Sequence, residues 1–208
     1  MAVLRISVDH ETPVRATGAK VQLSIAGNSA VLGDAAVKKA AEVRDLTMEL
    51  FAAGIGEDAI TVTGVRLSSE SGMIGKSQKA DYQLCVQATP SQLPTVLSII
   101  GEQPNATLWN LEWVFPDFEA SIPASAEAVA KARRKAEAIA EAAGLSIVGI
   151  AELSDSWSMP GHQVDLSRPD VGVMRALTRA RGGPVDLGVE LSSTRNLRVH
   201  LSVDFELA

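Results

Sequence analysis

The chain has 208 residues, 46% of them hydrophobic and 21% charged, and carries a formal net charge of −6 from 19 basic and 25 acidic side chains. A chain of this length can bury enough apolar surface to fold without disulfide or metal cross-links, and its composition excludes wholesale disorder. Nonspecific nucleic-acid binding needs a basic surface, so the acidic balance predicts no nucleic-acid partner.

Cysteine content and the N-terminus bear on location. The single Cys85 cannot form an internal disulfide, which suits a reducing compartment. The first ten residues lack the basic start and apolar run of a signal peptide. No uncharged apolar stretch reaches the roughly 18 residues of a membrane span. We therefore expect a cytoplasmic protein without a membrane span.

The first predicted elements are a strand and a helix. Val21, Leu23 and Ile25 alternate with polar residues, as in a half-buried strand, and segment 4–8 is expected to extend that strand or pair with it. A long helix is predicted from Asp34, as its N-cap, to Gly54, as a left-handed C-cap.

Two strands are predicted next, at 59–67 and 80–87, because both segments are rich in alternating or β-branched residues. The polar, glycine-containing link 68–77 indicates a long hairpin loop. A second helix is predicted to start at a Thr89/Gln92 capping box and to stop at Gly101.

The strand that follows places Trp109, Trp113 and Phe115 on one face together with Leu111, whereas Leu108 lies on the other face. Such an aromatic face is usually core, and an interface is the second interpretation. Because three helices cannot cover every apolar position of the sheet, we expect leftover apolar surface here to be buried between subunits.

A third helix is predicted from near Pro123 to Ala143, followed by a strand at 145–153. The helix has a narrow apolar stripe at three- and four-residue spacing, which consists of Val129, Ala132, Ala136, Ile139 and Ala143. An irregular, flexible segment is expected at about 154–193. The final strand, 197–207, has the clearest alternation in the chain.

Together these elements predict an α+β fold. The fold is a mostly antiparallel sheet with ferredoxin-like β-α-β-β-α-β order followed by α-β-β, and with the helices packed on one side. No composition break divides the chain, so residues 1–208 are expected to form a single domain.

A resemblance to a known family spans nearly the whole chain. It rests on the segments 50–60 (LFAAGIGEDAI), 130–145 (AKARRKAEAIAEAAGL), 184–188 (PVDLG) and 197–207 (LRVHLSVDFEL). The chain resembles the SIMPL-domain family, mostly bacterial and often exported proteins of unknown molecular function, which include periplasmic immunogenic proteins and a kinase-binding adaptor. The resemblance implies an α+β fold with a tendency to assemble. It implies no catalytic residues.

Motifs for chemistry are absent from the sequence. His10, His162 and His200 each stand alone, without zinc-ligand spacing, and no phosphate-binding loop or nucleophile elbow occurs. Cys85 lies on the polar face of its strand, where an inert structural thiol is the favoured interpretation. We predict no catalytic residues, no metal and no cofactor.

Four arginines stand close together within the irregular segment: Arg168, Arg175, Arg179 and Arg181. They are either solvated side chains of an exposed flap, the interpretation we favour, or a contact for an anion or an acidic partner.

The sequence therefore predicts a non-enzymatic module for homo-oligomeric assembly or protein interaction. The alternative is a small-ligand or anion-binding protein that uses the arginines of 168–181. A third alternative is a hydrolase whose residues converge only in three dimensions, around an apolar pocket.

Overall fold

A computed structural model describes residues 2–29, 34–72, 75–159, 164–165 and 193–208. The described chain is α+β and has three α-helices. It contains two antiparallel sheets, whereas the sequence predicts a single sheet. It divides into two compact units. The described part of unit 1 comprises 2–16, 115–159 and 193–208, and that of unit 2 comprises 17–29, 34–72, 75–114 and 164–165. That both act as a single domain stays a prediction.

Unit 1 is a three-stranded sheet covered by one helix. Its sheet order is β1-β8-β6, and all pairings are antiparallel. The elements are β1 (Ala2–Arg15), α3 (Asp117–Ala142), β6 (Ile147–Ser158) and β8 (Thr194–Leu207). Strand β1 pairs with β8 along its whole length, from Ala2 opposite Leu207 to Arg15 opposite Thr194. The expectation that segment 4–8 joins the strand at Val21 is therefore wrong.

The core of unit 1 lies between α3 and one face of this sheet. The predicted alternation of the last strand is confirmed, since its buried side chains are Leu197, Val199, Leu201, Val203, Phe205 and Leu207. Against them α3 packs Ala124, Ala128, Ala132 and Ala136. Small side chains let the helix backbone come close to the sheet.

Helix α3 differs from its prediction in two ways. It starts at Asp117, six residues before Pro123. Asp117 and Glu119 interact favourably with the positive, N-terminal end of the helix dipole, and Ser121 in the next turn is buried. Of the predicted stripe, Ala132 and Ala136 are buried, whereas Ile139 and Ala143 are exposed and Val129 is only half-buried. The buried stripe consists of alanines at strict four-residue spacing from Ala124 to Ala140.

Unit 2 is a sheet of order β3-β4-β2-β5-β7 with antiparallel pairings. Its strands are β2 (Gly18–Ser29), β3 (Ile60–Gly72), β4 (Gly75–Ala88), β5 (Ala106–Val114) and β7 (Val164–Asp165). Its helices are α1 (Asp34–Ala52) and α2 (Leu93–Glu102), and a 3-10 turn, Glu57–Ala59, precedes β3. The hairpin loop predicted at 68–77 is wrong, because pairing continues to Gly72 opposite Gly75.

The C-terminal end of α1 and the start of α2 follow the sequence signals. Gly54 has φ +85°, and the Ile55 amide donates to the Leu50 carbonyl at 3.0 Å, which closes α1 as predicted. The capping box before α2 is also confirmed: the Thr89 amide donates to Gln92 Oε1 at 3.0 Å, and the Gln92 amide donates to Thr89 Oγ1 at 3.3 Å.

A β-bulge changes the aromatic face predicted for β5. Gln22 lies opposite Asn110 but Leu23 lies opposite Leu108, so Trp109 is the extra residue. Trp113 is buried and Trp109 is not. The aromatic face predicted to hold the leftover apolar surface therefore does not form as one row.

The first part of the segment predicted to be irregular is strand. Strand β6 continues to Ser158, so residues 154–158 are regular strand. The remainder of the predicted segment, except 159, 164–165 and 193, lies outside the described residues.

Candidate interaction surface

The arginines predicted as an anion or partner contact, Arg168, Arg175, Arg179 and Arg181, all lie outside the described residues, as does His162. Their role stays a prediction. The other singled-out residues, His10, His200 and Cys85, are described.

His10 is buried on the helix-facing side of β1. Its Nδ1 atom lies 2.6 Å from Lys131 Nζ, and its Nε2 atom lies 3.1 Å from Glu127 Oε2. The Nε2 atom is buried without a well-formed hydrogen bond, so the Glu127 contact is close but poorly aligned. Sequence inspection missed this cluster because His10 lies more than a hundred positions from Glu127 and Lys131. The contacts of His10 link α3 to β1.

His200 lies on the opposite, solvated face of the same sheet, as predicted, and its Nδ1 atom is 2.8 Å from Asp9 Oδ1. Neighbouring cross-strand pairs on this face are Arg5 with Asp204 and Glu11 with Arg198. The hydrogen bonds from the Arg5 guanidinium hold the pKa of Asp204 below its ordinary value. Exposed pairs of this kind add little stability, so this face is ordinary polar surface.

Cys85 occupies the face of the unit 2 sheet away from the helices, between Gln22 and Thr61. Burial raises the pKa of its thiol, and this effect outweighs the lowering of the pKa by Lys20. Because only the thiolate is nucleophilic, a raised pKa lowers the reactive fraction at neutral pH.

We therefore expect Cys85 to react with iodoacetamide at neutral pH more slowly than free cysteine does, and Cys85→Ser to leave the far-ultraviolet circular dichroism unchanged. Mass spectrometry of timed samples measures the rate, with the denatured protein as the matched control. A native rate above that of free cysteine would contradict the assignment of a structural thiol.

A cavity of about 350 Å³ lies within unit 2, near the start of α2. Its hydroxyl groups already have partners, because Thr17 donates to the Val114 carbonyl and Thr89 bonds to Gln92. No charged side chain lines it. These features do not favour the hydrolase or anion-binding alternative at this place.

The most distinctive surface of unit 1 is apolar and lies beside the edge strand β6. Ile150, Leu153 and Trp157 stand opposite Phe205, Val203 and Val199 of β8. Side chains opposite each other in a ladder share a face, so these three point to the helix-bearing face of the sheet. All three remain exposed, because α3 packs mainly across β1 and β8.

Helix α3 adds two side chains to this surface. Ser125 Oγ donates to Asp155 Oδ2 at 3.0 Å, which identifies the flank of α3 that faces β6. Phe118 and Ile122 precede Ser125 at helical spacing on that flank and are exposed. We name Phe118, Ile122, Ile150, Leu153 and Trp157 the β6 strip. Sequence reasoning missed it because Ile150 and Leu153 are three apart across a bulge, which breaks the alternation.

Unit 2 has a comparable surface on its own edge strand, β3. Val62, Val65 and Leu67 stand opposite Leu84, Tyr82 and Ala80, on the helix-bearing face, and each is about half exposed. We name these three residues the β3 strip.

Within the described part of the chain, no group of three or more His, Cys, Asp or Glu side chains could hold a metal ion. No described helix is long and apolar enough to cross a membrane.

Comparisons with known proteins identify the family of this chain. No curated protein matches the chain. Among solved structures, CutA from Synechococcus elongatus is 10% identical with a TM-score of 0.29, over 50% of this chain and 83% of that chain. The C-terminal domain of the MgtC protein from Mycobacterium tuberculosis is 16% identical with a TM-score of 0.20, over 48% and 87%. Both likenesses are too weak to carry an argument.

The family model for SIMPL, described as protein of unknown function (DUF541), matches residues 4–205. Since this match covers nearly the whole chain, the protein belongs to the SIMPL family.

Proposed function

We propose that this protein is a non-enzymatic assembly module that associates with further copies of itself, and that the β6 strip is buried in the contact. The observation that supports this proposal is the exposure of five large apolar side chains together on one flank of unit 1. Contiguous apolar patches on soluble proteins usually mark interaction sites. As part of the same proposal, β2 to β5 with α1 and α2 form a ferredoxin-like unit, which their sheet order β3-β4-β2-β5 supports.

The area of the strip reaches the lower limit for a specific contact. Its side chains are between 39% and 65% exposed. With about 200 Å² for a fully exposed large apolar side chain, the strip offers about 500 Å² on one copy. A matching area on the partner gives about 1,000 Å² in total, the size at which specific interfaces begin.

The test is sedimentation velocity of the wild type and of Leu153→Lys across the micromolar range. We expect the wild type to form a dimer or larger species, and Leu153→Lys to dissociate at concentrations at least tenfold higher, because a charged side chain must then be desolvated in the contact. Leu153 is exposed, so the variant should keep the wild-type circular dichroism.

The matched control is Val37→Lys, since Val37 is an exposed apolar residue on α1, outside both strips. It should sediment like the wild type. A wild type that stays monomeric throughout this range would remove the assembly proposal.

The anion-binding alternative rests on arginines outside the described residues. It stays a prediction, as does the cytoplasmic location.

A further inference from the structure

Each unit leaves one long edge strand open. Strand β6 has 12 residues and β3 has 13, and neither has a second strand partner among the described residues. An open edge offers unpaired backbone N–H and C=O groups to another chain. Proteins usually protect such edges with lysine or proline, and neither strand contains either residue.

The other edge of unit 1 is protected in that way. Strand β1 carries Pro13, which cannot donate to a ladder, and outward-facing charges at Arg5, Asp9 and Glu11. Strands β6 and β3 lack proline and lysine, but both contain a bulge, and β6 carries Asp155 on its helix-bearing face, opposite Leu201.

The apolar rows of the two open edges match. Strand β6 contributes Ile150, Leu153 and Trp157, and β3 contributes the β3 strip, in both cases on the helix-bearing face. Each strand also has a bulge between the first and second residue of its row. If the two strands pair edge to edge, their apolar rows fall on the same face of the joined sheet.

The charges favour pairing of β6 with β3 over pairing of β6 with a second β6. Strand β6 carries Glu152 and Asp155 and no basic residue. On β3, Arg66 is the basic residue, on the face away from the helices, and Glu152 lies on the corresponding face of unit 1, opposite Asp204. Two β6 strands would bring only acidic charges to the contact, which is unfavourable. A β6 strand against a β3 strand brings Glu152 and Arg66 to the same side.

We propose that β6 of one copy pairs with β3 of the next copy, so that the sheets of unit 1 and unit 2 continue into each other between molecules. This inference rests on the proposed function and names the partner surface. The contact is heterologous, because it joins two different surfaces. Each molecule therefore offers two different contact edges, β6 and β3.

Mixing two blocked variants tests this arrangement. Leu153→Lys blocks the β6 edge and Val65→Lys blocks the β3 edge, since lysine pointing into a contact opposes edge pairing. Each variant alone should be monomeric at a concentration at which the wild type is assembled. An equimolar mixture should form a heterodimer and nothing larger, because only one contact in the pair is intact. Mass photometry with one variant fused to a mass tag counts the species.

The outcomes separate this inference from the proposed function. If Val65→Lys alone still assembles and the mixture forms no heterodimer, self-association stands but the β6–β3 pairing is overturned. If the wild type is itself monomeric, both proposals fail. Trp157→Lys and Leu67→Lys, at equally exposed positions of the same rows, replace any variant that loses the wild-type circular dichroism.

Discussion

Phe205→Ala should lower the free energy of unfolding of unit 1 by about 3–5 kcal/mol. Phe205 is 1% exposed on the central strand of its sheet and is among the largest fully buried side chains described. It stands opposite Leu4 on β1 and Ile150 on β6. The loss combines the transfer free energy of the ring with the cost of the cavity that it leaves.

The cavity should persist because the neighbours cannot fill it. The helix face that closes this core consists of alanines, such as Ala128, Ala132 and Ala136. An alanine has no side-chain torsion that could swing a methyl group into the space. The cost should therefore fall in the upper part of the range seen for large-to-small substitutions.

Chemical denaturation followed by circular dichroism measures the change, with Phe51→Ala as the matched control. Phe51 is the same residue type but 41% exposed on α1, so its loss should be about 1 kcal/mol. Equal losses for the two variants would show that Phe205 is not a closely packed core residue.

The sequence predicts those parts of the fold that depend on neighbouring residues. The Thr89 capping box, the Gly54 cap and the alternation of β8 are local patterns, and the structure confirms all three. The pairing of β1 with β8 is not local, because their residues are almost 200 positions apart. Alternation shows which side chains share a face but does not show which strand lies beside which.

The candidate surface depends on bulges and on helix position, which local patterns describe poorly. A bulge at Ile150/Glu152 moves Leu153 onto the face of Ile150, although strict alternation places them on opposite faces. Exposure of the β6 strip further requires that α3 leave the edge strand uncovered. The four-residue alanine spacing is present in the sequence, but it does not show which strands the alanines contact.

Ala132→Leu tests this close packing and should lower the free energy of unfolding of unit 1 by about 1–3 kcal/mol or more. Ala132 is fully buried, and so are Ala128 and Ala136 one turn away on either side. A leucine there adds three carbon atoms at a fully buried position between α3 and the sheet. Either the leucine takes a strained rotamer or α3 moves outward and loses contact with β1 and β8.

Ala138→Leu is the matched control, because Ala138 lies on the same helix but is exposed. Leucine and alanine have similar helix propensities, so the control should change the unfolding free energy by less than about 0.5 kcal/mol. A difference between the two variants then reports packing rather than helix formation. If Ala132→Leu were as stable as Ala138→Leu, α3 would have free space beneath it, and the alanine spacing would not be what sets its distance from the sheet.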